Sequence, residues 1–327
     1  MVSLLLAVIY LAFVSLGLPD SLLGAGWPAM HGGFGVPLAY AGIVSAIIAA
    51  GTVFSSLFSD RLTKKFTVKY VVTASVLATA VALLGFSFSG RFWQICLWAI
   101  PYGLGAGAID AALNNYVALY YSARHMSWLH CFWGVGTMVS PYVMSFAISR
   151  AGWQSGYRIV SVVQFGIAAV LLLSLPLWRV HKTKRESQIE EKEQSTGILQ
   201  AVKLRGVPAT LAGFFCYSAV EATCMLWSAS FLVGTREITE ERAAAFASLF
   251  FIGITVGRFL SGFVADKLGD ANMIRIGSGI IALGILPLTI RALPVWTALA
   301  ALVLTGFGCA PIYPAIIHAA PNFCGVA

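Results

Sequence analysis

Charge is scarce in this sequence. Only 10% of its 327 residues are Asp, Glu, Lys or Arg, whereas a soluble globular domain has about a quarter. Hydrophobic residues make up 59% of the chain, and its mean hydropathy is +0.84. Apolar segments recur along the whole length with only short polar breaks, so one large soluble core does not explain the composition. We therefore expect an all-α protein that crosses a lipid bilayer many times.

Sequence patterns of enzymes and metal sites are also missing. The six cysteines have irregular spacing without a C-x-x-C pair, which argues against a metal site or a disulfide framework. The five histidines are scattered, and neither H-E-x-x-H nor G-x-S-x-G occurs. The net charge of +8 is not gathered into a basic patch with interleaved aromatics. We expect no enzymatic activity, no bound cofactor and no nucleic-acid partner.

Ten apolar segments have the length of about 20 residues that a hydrocarbon core of roughly 30 Å requires. They are residues 2–25, 36–58, 68–88, 91–122, 127–149, 156–178, 206–234, 243–265, 272–291 and 294–319. The first segment has no positively charged start and is too long for the apolar core of a signal peptide. We therefore interpret it as a membrane helix.

The distribution of Lys and Arg predicts the orientation, because cytoplasmic loops carry an excess of both. With a cytoplasmic N-terminus, fourteen of the 21 basic residues lie on the cytoplasmic side and six on the opposite side. The remaining one, Arg258, lies within a predicted helix. We expect a multi-pass protein of the cell membrane, plasma or inner, with its N-terminus in the cytoplasm and the lipid bilayer around it.

A charged linker divides the chain. Residues 179–205 contain mixed charges without apolar periodicity, which is typical of a solvated segment. The sequence therefore predicts an N-terminal six-helix bundle over 1–178, a cytoplasmic linker over 179–205, and a partial C-terminal bundle of four helices over 206–327.

The two halves repeat. "GTVFSSLFSDRLTKKF" from Gly51 aligns with "GRFLSGFVADKLGDAN" from Gly257, and "GLGAGAID" from Gly103 aligns with "GFGCAPIY" from Gly306. An internal repeat of membrane helices is typical of secondary transporters, in which two bundles rock around a central site. A complete second half requires two more helices, so we expect this chain to be truncated.

The repeated loops resemble a known family. "FSDRLTKKF" and "VADKLGD" resemble the cytoplasmic loop motif of the major facilitator superfamily, although Thr63 stands where the motif usually has glycine. "GLPDSLLGAGWP", "GAGAIDAALNN" and "HCFWGVG" are similar to the fucose–proton symporter group of sugar permeases. The resemblance implies the major facilitator fold, a small-molecule partner that is a monosaccharide, and proton symport by alternating access. We also expect a monomer.

Asp110 is the strongest candidate for a functional residue within the membrane segments. A carboxylate inside the bilayer costs about 2.5 kcal/mol or more, so it usually faces a cavity and has a partner. Removing a carboxyl group from water favours its neutral form, which suits proton coupling. Asn114 lies one helical turn further on the same face. The alternative is that Asp110 only hydrogen-bonds a neighbouring helix.

Four more residues belong to the predicted solute and proton site. The resemblance pairs Asp20 with Asp110, although a proline before Asp20 is also a turn signal. His130 and Trp133 combine a titratable donor with an aromatic wall, a mixture that suits sugars, although a membrane histidine is often only packed. Glu221 lies in the half opposite Asp110, either in the site or gate or in a structural pair.

The resemblance assigns Asp60, Arg61, Arg258 and Asp266 to an inner gate. The alternative is that the basic residues only anchor the cytoplasmic side, which does not explain the repeated aspartates. For the whole chain, three alternatives stay open: an exporter of sugars or drugs, a sodium-coupled carrier, and a non-transporting sugar sensor of the same fold.

Overall fold

The part of the chain that is described is built from helices and contains no strand. The computed structural model describes residues 2–121, 123–178 and 206–316, without the side chains of residues 2, 3, 123, 124, 127, 265 and 266. Its α-helices are Val2–Asp20 (α1), Leu22–Phe34 (α2), Ala41–Phe88 (α3), Phe92–Tyr120 (α4), Ala123–Ala151 (α5), Trp153–Ser174 (α6), Val207–Arg236 (α7), Glu240–Leu268 (α8), Asp270–Thr289 (α9) and Val295–Cys309 (α10).

Nine stretches of the described chain are long and apolar enough to cross a membrane. In its described residues, each of the ten predicted segments falls mainly on helix, and the predicted all-α membrane fold is confirmed. There are nine stretches where ten segments were predicted, because the predicted segments 36–58 and 68–88 belong to one continuous stretch, residues 38–88.

The first difference from prediction concerns the start of the chain. The sequence predicts one helix over 2–25, whereas α1 ends at Asp20 and α2 continues to Phe34. The continuation buries large side chains, because Trp27 and Met30 are fully buried. Gly35 ends α2 with a φ of 65°, a conformation that glycine adopts without strain.

The second difference concerns helix α3. The predicted segments 36–58 and 68–88 leave a loop between them, but the helix continues through most of that loop. Its backbone departs from helical geometry at Thr67, where φ is 61° and ψ is 150°. The two predicted membrane segments are therefore two arms of one bent helix.

A glycine makes the corresponding turn in the C-terminal half. Gly269, just after α8, has φ 71° and ψ 158°, close to the values at Thr67. In the sequence repeat, however, Gly269 aligns with Thr63, which stays helical and donates its hydroxyl to the Ser59 carbonyl at 2.9 Å. Because Thr63 does not make the turn, α3 continues for one more helical turn and bends at Thr67.

The described residues belong to two compact units. The N-terminal unit comprises the described residues up to 178 together with 226–248, and the C-terminal unit comprises the described residues 206–225 together with 249–316. The predicted linker, 179–205, lies outside the described residues, so the boundaries predicted from the sequence stay a prediction.

Close helix contacts at glycine recur in both units. In the N-terminal unit, Gly103 of α4 faces the carbonyl oxygen of Ile48 in α3; in the C-terminal unit, Gly306 of α10 faces the carbonyl oxygen of Phe250 in α8. A methyl group at either glycine would overlap that oxygen. Because these glycines are aligned in the sequence repeat, the repeat corresponds to the same kind of close helix packing in each unit.

Candidate functional site

Asp20 is the centre of a polar cluster in the N-terminal unit. Its carboxylate accepts a hydrogen bond from Tyr102 Oη of α4 at 2.6 Å and another from Trp133 Nε1 of α5 at 2.8 Å. The two donors use different oxygens of the carboxylate. We call Asp20, Tyr102 and Trp133 the Asp20 cluster; it joins three helices and contains no cation.

Local sequence places Asp20 within reach of Trp133. Gly17 in α1 lies against the carbonyl oxygen of Trp133 itself, where any larger residue would clash. One turn further, Ser21 donates its hydroxyl to the carbonyl oxygen of Thr137 in α5 at 2.9 Å. Helices α1 and α5 therefore approach closely on both sides of Asp20, and its carboxylate faces the indole N–H.

Asp110 has a different kind of partner. Asn114 Nδ2, one turn along α4, donates to Asp110 Oδ1 at 2.9 Å, so this hydrogen bond lies within a single helix. Asn114 Oδ1 is buried and accepts no hydrogen bond. Asp110 lies within electrostatic range of Asp20. The structure thus brings together Asp20, Asp110, Asn114 and Trp133 as the sequence predicts, in one unit and with neutral hydrogen-bond donors.

His130 lies three residues before Trp133 on α5 and is half-buried. Its ring packs edge-on against Phe13 of α1, with 5.7 Å between the centroids. This aromatic contact agrees with the alternative of a packed histidine, while a role in the solute site stays a prediction.

Glu221 and Arg258, which the sequence places in separate roles, form an ion pair in the C-terminal unit. Arg258 Nη2 of α8 lies 3.5 Å from Glu221 Oε1 of α7, and their side chains are 9% and 15% exposed. Tyr217, one turn before Glu221, and Cys309 of α10 lie within electrostatic range of the glutamate. Arg258 therefore contacts a predicted solute-site residue.

Two of the other predicted gate residues, Asp60 and Arg61, have exposed positions. Asp60 pairs with Lys64, one turn away on the same helix, at 2.9 Å, and both side chains are more than 60% exposed. Arg61 lies over the ring of Phe58 at 5.7 Å. The side chain of Asp266 lies outside the described residues. Exposed pairs of this kind contribute about 0.3–0.5 kcal/mol, and the inner gate stays a prediction.

Sequence reasoning missed Tyr102. A tyrosine in an apolar helix is usually read as packing, and Tyr102 is indeed only 3% exposed. The available signal was its spacing, because Tyr102 precedes Asp110 by eight residues, about two helical turns. A buried tyrosine hydroxyl needs a hydrogen-bond partner, and this one uses Asp20.

A cavity of about 580 Å³ in the C-terminal unit does not have the chemistry of a sugar site. Its lining is mainly apolar and includes Ile274, Ile281, Ile312 and Ile316. Solute sites need several convergent polar groups to fix orientation. The polar clusters around Asp20 and Glu221 are therefore the better candidates.

Comparison with known proteins agrees with this architecture. A family model described as Major Facilitator Superfamily matches residues 9–326. The chain is 23% identical to Bypass of stop codon protein 6 of Saccharomyces cerevisiae over 279 residues, which is 78% of this chain and 56% of that protein. It is 24% identical to the Glucose/mannose transporter GlcP of Bacillus subtilis over 195 residues, 58% of this chain and 48% of that one. The chain thus spans about half the length of these curated relatives.

A solved structure has the same fold. The partially occluded, inward open conformation of the xylose transporter XylE from E. coli superposes with a TM-score of 0.75 at 12% sequence identity. The match covers 97% of this chain and 86% of that chain. At this level of identity the likeness shows the fold alone.

Proposed function

Because the chain belongs to the major facilitator superfamily, we propose that it is a secondary active transporter that moves a monosaccharide by proton symport. The observation that supports this proposal best is the pair of membrane carboxylates, Asp20 and Asp110, whose hydrogen-bond donors are neutral. A carboxylate held by neutral groups can take up a proton without leaving a buried cation unpaired. That property suits a coupling site.

The Asp20 cluster also suits a sugar. The indole N–H of Trp133 donates to Asp20, which fixes the orientation of the ring. In this proposal the ring packs against the apolar C–H side of a sugar. Each carboxylate oxygen has a second lone pair that can accept a sugar hydroxyl. The similarity to a glucose/mannose transporter gives independent support for a sugar as the solute.

In this proposal the two repeated halves provide alternating access, with Asp60, Arg61, Arg258 and Asp266 assigned to the inner gate. The protein acts as a monomer in the cell membrane with its N-terminus in the cytoplasm. The proton is the coupling ion, and sodium is the alternative. Transport with sodium replaced by choline separates the two ions, because only a sodium-coupled carrier stops under that condition.

The decisive experiment is sugar-driven proton uptake by the 327-residue chain in proteoliposomes. We expect Asp110→Asn to lower proton uptake driven by D-glucose at least tenfold, because an amide cannot take up a proton. Glu241→Gln is the matched control, since Glu241 is an exposed acid at the start of α8. Unchanged coupled uptake in Asp110→Asn would show that the coupling assignment is wrong.

A further inference from the structure

We infer that the bend of α3 binds the phosphate group of an anionic phospholipid. The site consists of three cations on the two sides of Thr67: Arg61 and Lys65 near the end of the first arm, and Lys69 at the start of the second. We call these three residues the bend cations. The inference goes beyond the proposed transport function, because it concerns a surface of the N-terminal unit that the Asp20 cluster does not include.

The apolar segments on both sides of the bend predict that it lies at a membrane surface. Residues 59–67 separate the predicted membrane segments 36–58 and 68–88, so both arms of α3 meet at the same side of the bilayer. The distribution of Lys and Arg predicts that this side is cytoplasmic. Anionic lipids give the cytoplasmic leaflet a negative potential, which attracts basic segments beside membrane helices.

The bend is more basic than the corresponding segment of the repeat. Residues 60–70 contain four basic residues and one acidic residue, whereas the aligned residues 266–276 contain two of each. The difference comes from Lys64 and Lys65, whose aligned positions hold an aspartate and an alanine. Both segments lie on the predicted cytoplasmic side, so the general excess of basic residues there does not explain the difference. The extra positive charge is specific to α3.

Within the described part of the chain, the bend cations have no carboxylate partner. The one acidic residue of the segment, Asp60, pairs with Lys64 at 2.9 Å, and no bend cation forms an ion pair. Arg61 and Lys65 are four positions apart on one helix, a spacing at which like charges repel. Lys69 lies in the first turn of the second arm, where the helix dipole disfavours a cation. One bound anion relieves both conflicts.

An aromatic ring accompanies each bend cation. The charged groups lie over these rings at 5.1–5.7 Å from the ring centroids. In the order of the cations, the rings belong to Phe58, Phe66 and Tyr70. Phe66 and Tyr70 are half exposed, and exposed aromatic rings are typical of the level of the lipid headgroups. A phospholipid uses both parts of this surface, because its phosphate contacts the cations and its glycerol and upper acyl chains contact the rings.

A rival explanation is that the bend cations only orient the chain in the membrane. That role needs positive charge on one side of the bilayer and no defined site. It predicts that removing two cations from α3 and removing two from the aligned segment have the same effect on lipid binding. A lipid site at the bend predicts that only the first change matters.

The test measures lipid binding to the purified full chain by native mass spectrometry, with phosphatidylglycerol and phosphatidylcholine as probes. We expect wild-type protein to bind phosphatidylglycerol at least tenfold more tightly than phosphatidylcholine. Lys65→Gln/Lys69→Gln should weaken phosphatidylglycerol binding at least tenfold, because each cation near an anionic surface contributes about fivefold. Lys267→Gln/Arg275→Gln is the matched control, since it removes two exposed cations from the aligned segment. It should leave the affinity unchanged.

Three results would overturn the inference. Equal affinity of wild type for the two lipids would mean that the surface does not recognise the anion. An equal loss in the two double variants would mean that charge acts without a site. Displacement of phosphatidylglycerol by soluble glycerol phosphate would make the ligand a free anion instead of a lipid. If Lys65→Gln/Lys69→Gln fails to fold, Lys65→Gln alone decides, with an expected loss of about fivefold. No sugar is present, so the outcome does not depend on transport.

Discussion

The two units hold their membrane carboxylates in opposite electrical surroundings. In the N-terminal unit, Asp20 accepts hydrogen bonds from a phenol and an indole, both neutral. In the C-terminal unit, Glu221 faces the guanidinium of Arg258. The repeat has thus preserved the helix contacts while the chemistry of the two halves has diverged.

The repeat alignment shows the same divergence. Tyr313 stands at the position that corresponds to Asp110, and its ring packs against Phe214 with 5.7 Å between the centroids. An acid in one half is therefore replaced by an aromatic ring in the other. A carboxylate with only a structural purpose in each bundle would not explain this difference.

The largest difference between the two units should appear when the cation of the C-terminal ion pair, Arg258, is removed. We expect Arg258→Met to destabilise the protein by about 3–5 kcal/mol, because Glu221 is left as an uncompensated buried charge. The double variant Glu221→Gln/Arg258→Met should recover most of that loss. Unfolding in detergent measures both, with Arg242→Met as the exposed control. A double variant as unstable as the single one would mean that the two charges are not coupled.

The N-terminal counterpart of that experiment removes one neutral donor. Tyr102→Phe deletes only the hydroxyl that donates to Asp20, and we expect a loss of about 1.5–3 kcal/mol, the range for a hydrogen bond to a charged group. Tyr157→Phe is the matched control, since Tyr157 is equally buried and its hydroxyl has no hydrogen bond. Equal unfolding temperatures for the two variants would contradict the structural importance of the Tyr102 contact.

The smallest expected effect concerns the turn after the repeated loop. Thr67 has a φ of 61°, close to the φ of 71° that Gly269 adopts without strain in the other half. A β-branched residue in this region is strained by about 1–3 kcal/mol. We expect Thr67→Gly to stabilise the protein by about 1 kcal/mol, and Gly269→Thr to destabilise it. Thermal unfolding checks both, and a less stable Thr67→Gly would show that the threonine is not strained.

Much of the N-terminal site was accessible from sequence. Composition and apolar segment length predict the helices, and a carboxylate inside an apolar helix marks Asp110. The family resemblance pairs Asp20 with Asp110, and the suitability of an aromatic ring for a sugar marks Trp133. The hydrogen bonds among them depend on how closely α1 and α5 approach, which follows from Gly17 only once the two helices are known to meet.

The C-terminal pair was not accessible in the same way. Glu221 and Arg258 are 37 positions apart on different helices, and their contact depends on the rotation of each helix about its axis. Membrane helices have no solvent-facing stripe that would fix that rotation from the sequence. The continuation of helix α3 to its bend at Thr67 differs from the prediction for a simpler reason. Charged residues after residue 58 were taken to end the helix, although a helix can continue through them.

The extra turn of α3 also has a consequence for how deeply this helix sits in the bilayer. Four additional helical residues lengthen its first arm by about 6 Å, at 1.5 Å per residue. Lys64 and Lys65 are therefore carried on a rigid rod instead of a flexible loop. A helix has a fixed rise per residue, so their ammonium groups stay at a nearly constant distance from the apolar part of the helix. Attraction between such cations and anionic headgroups resists sliding of the helix along the bilayer normal.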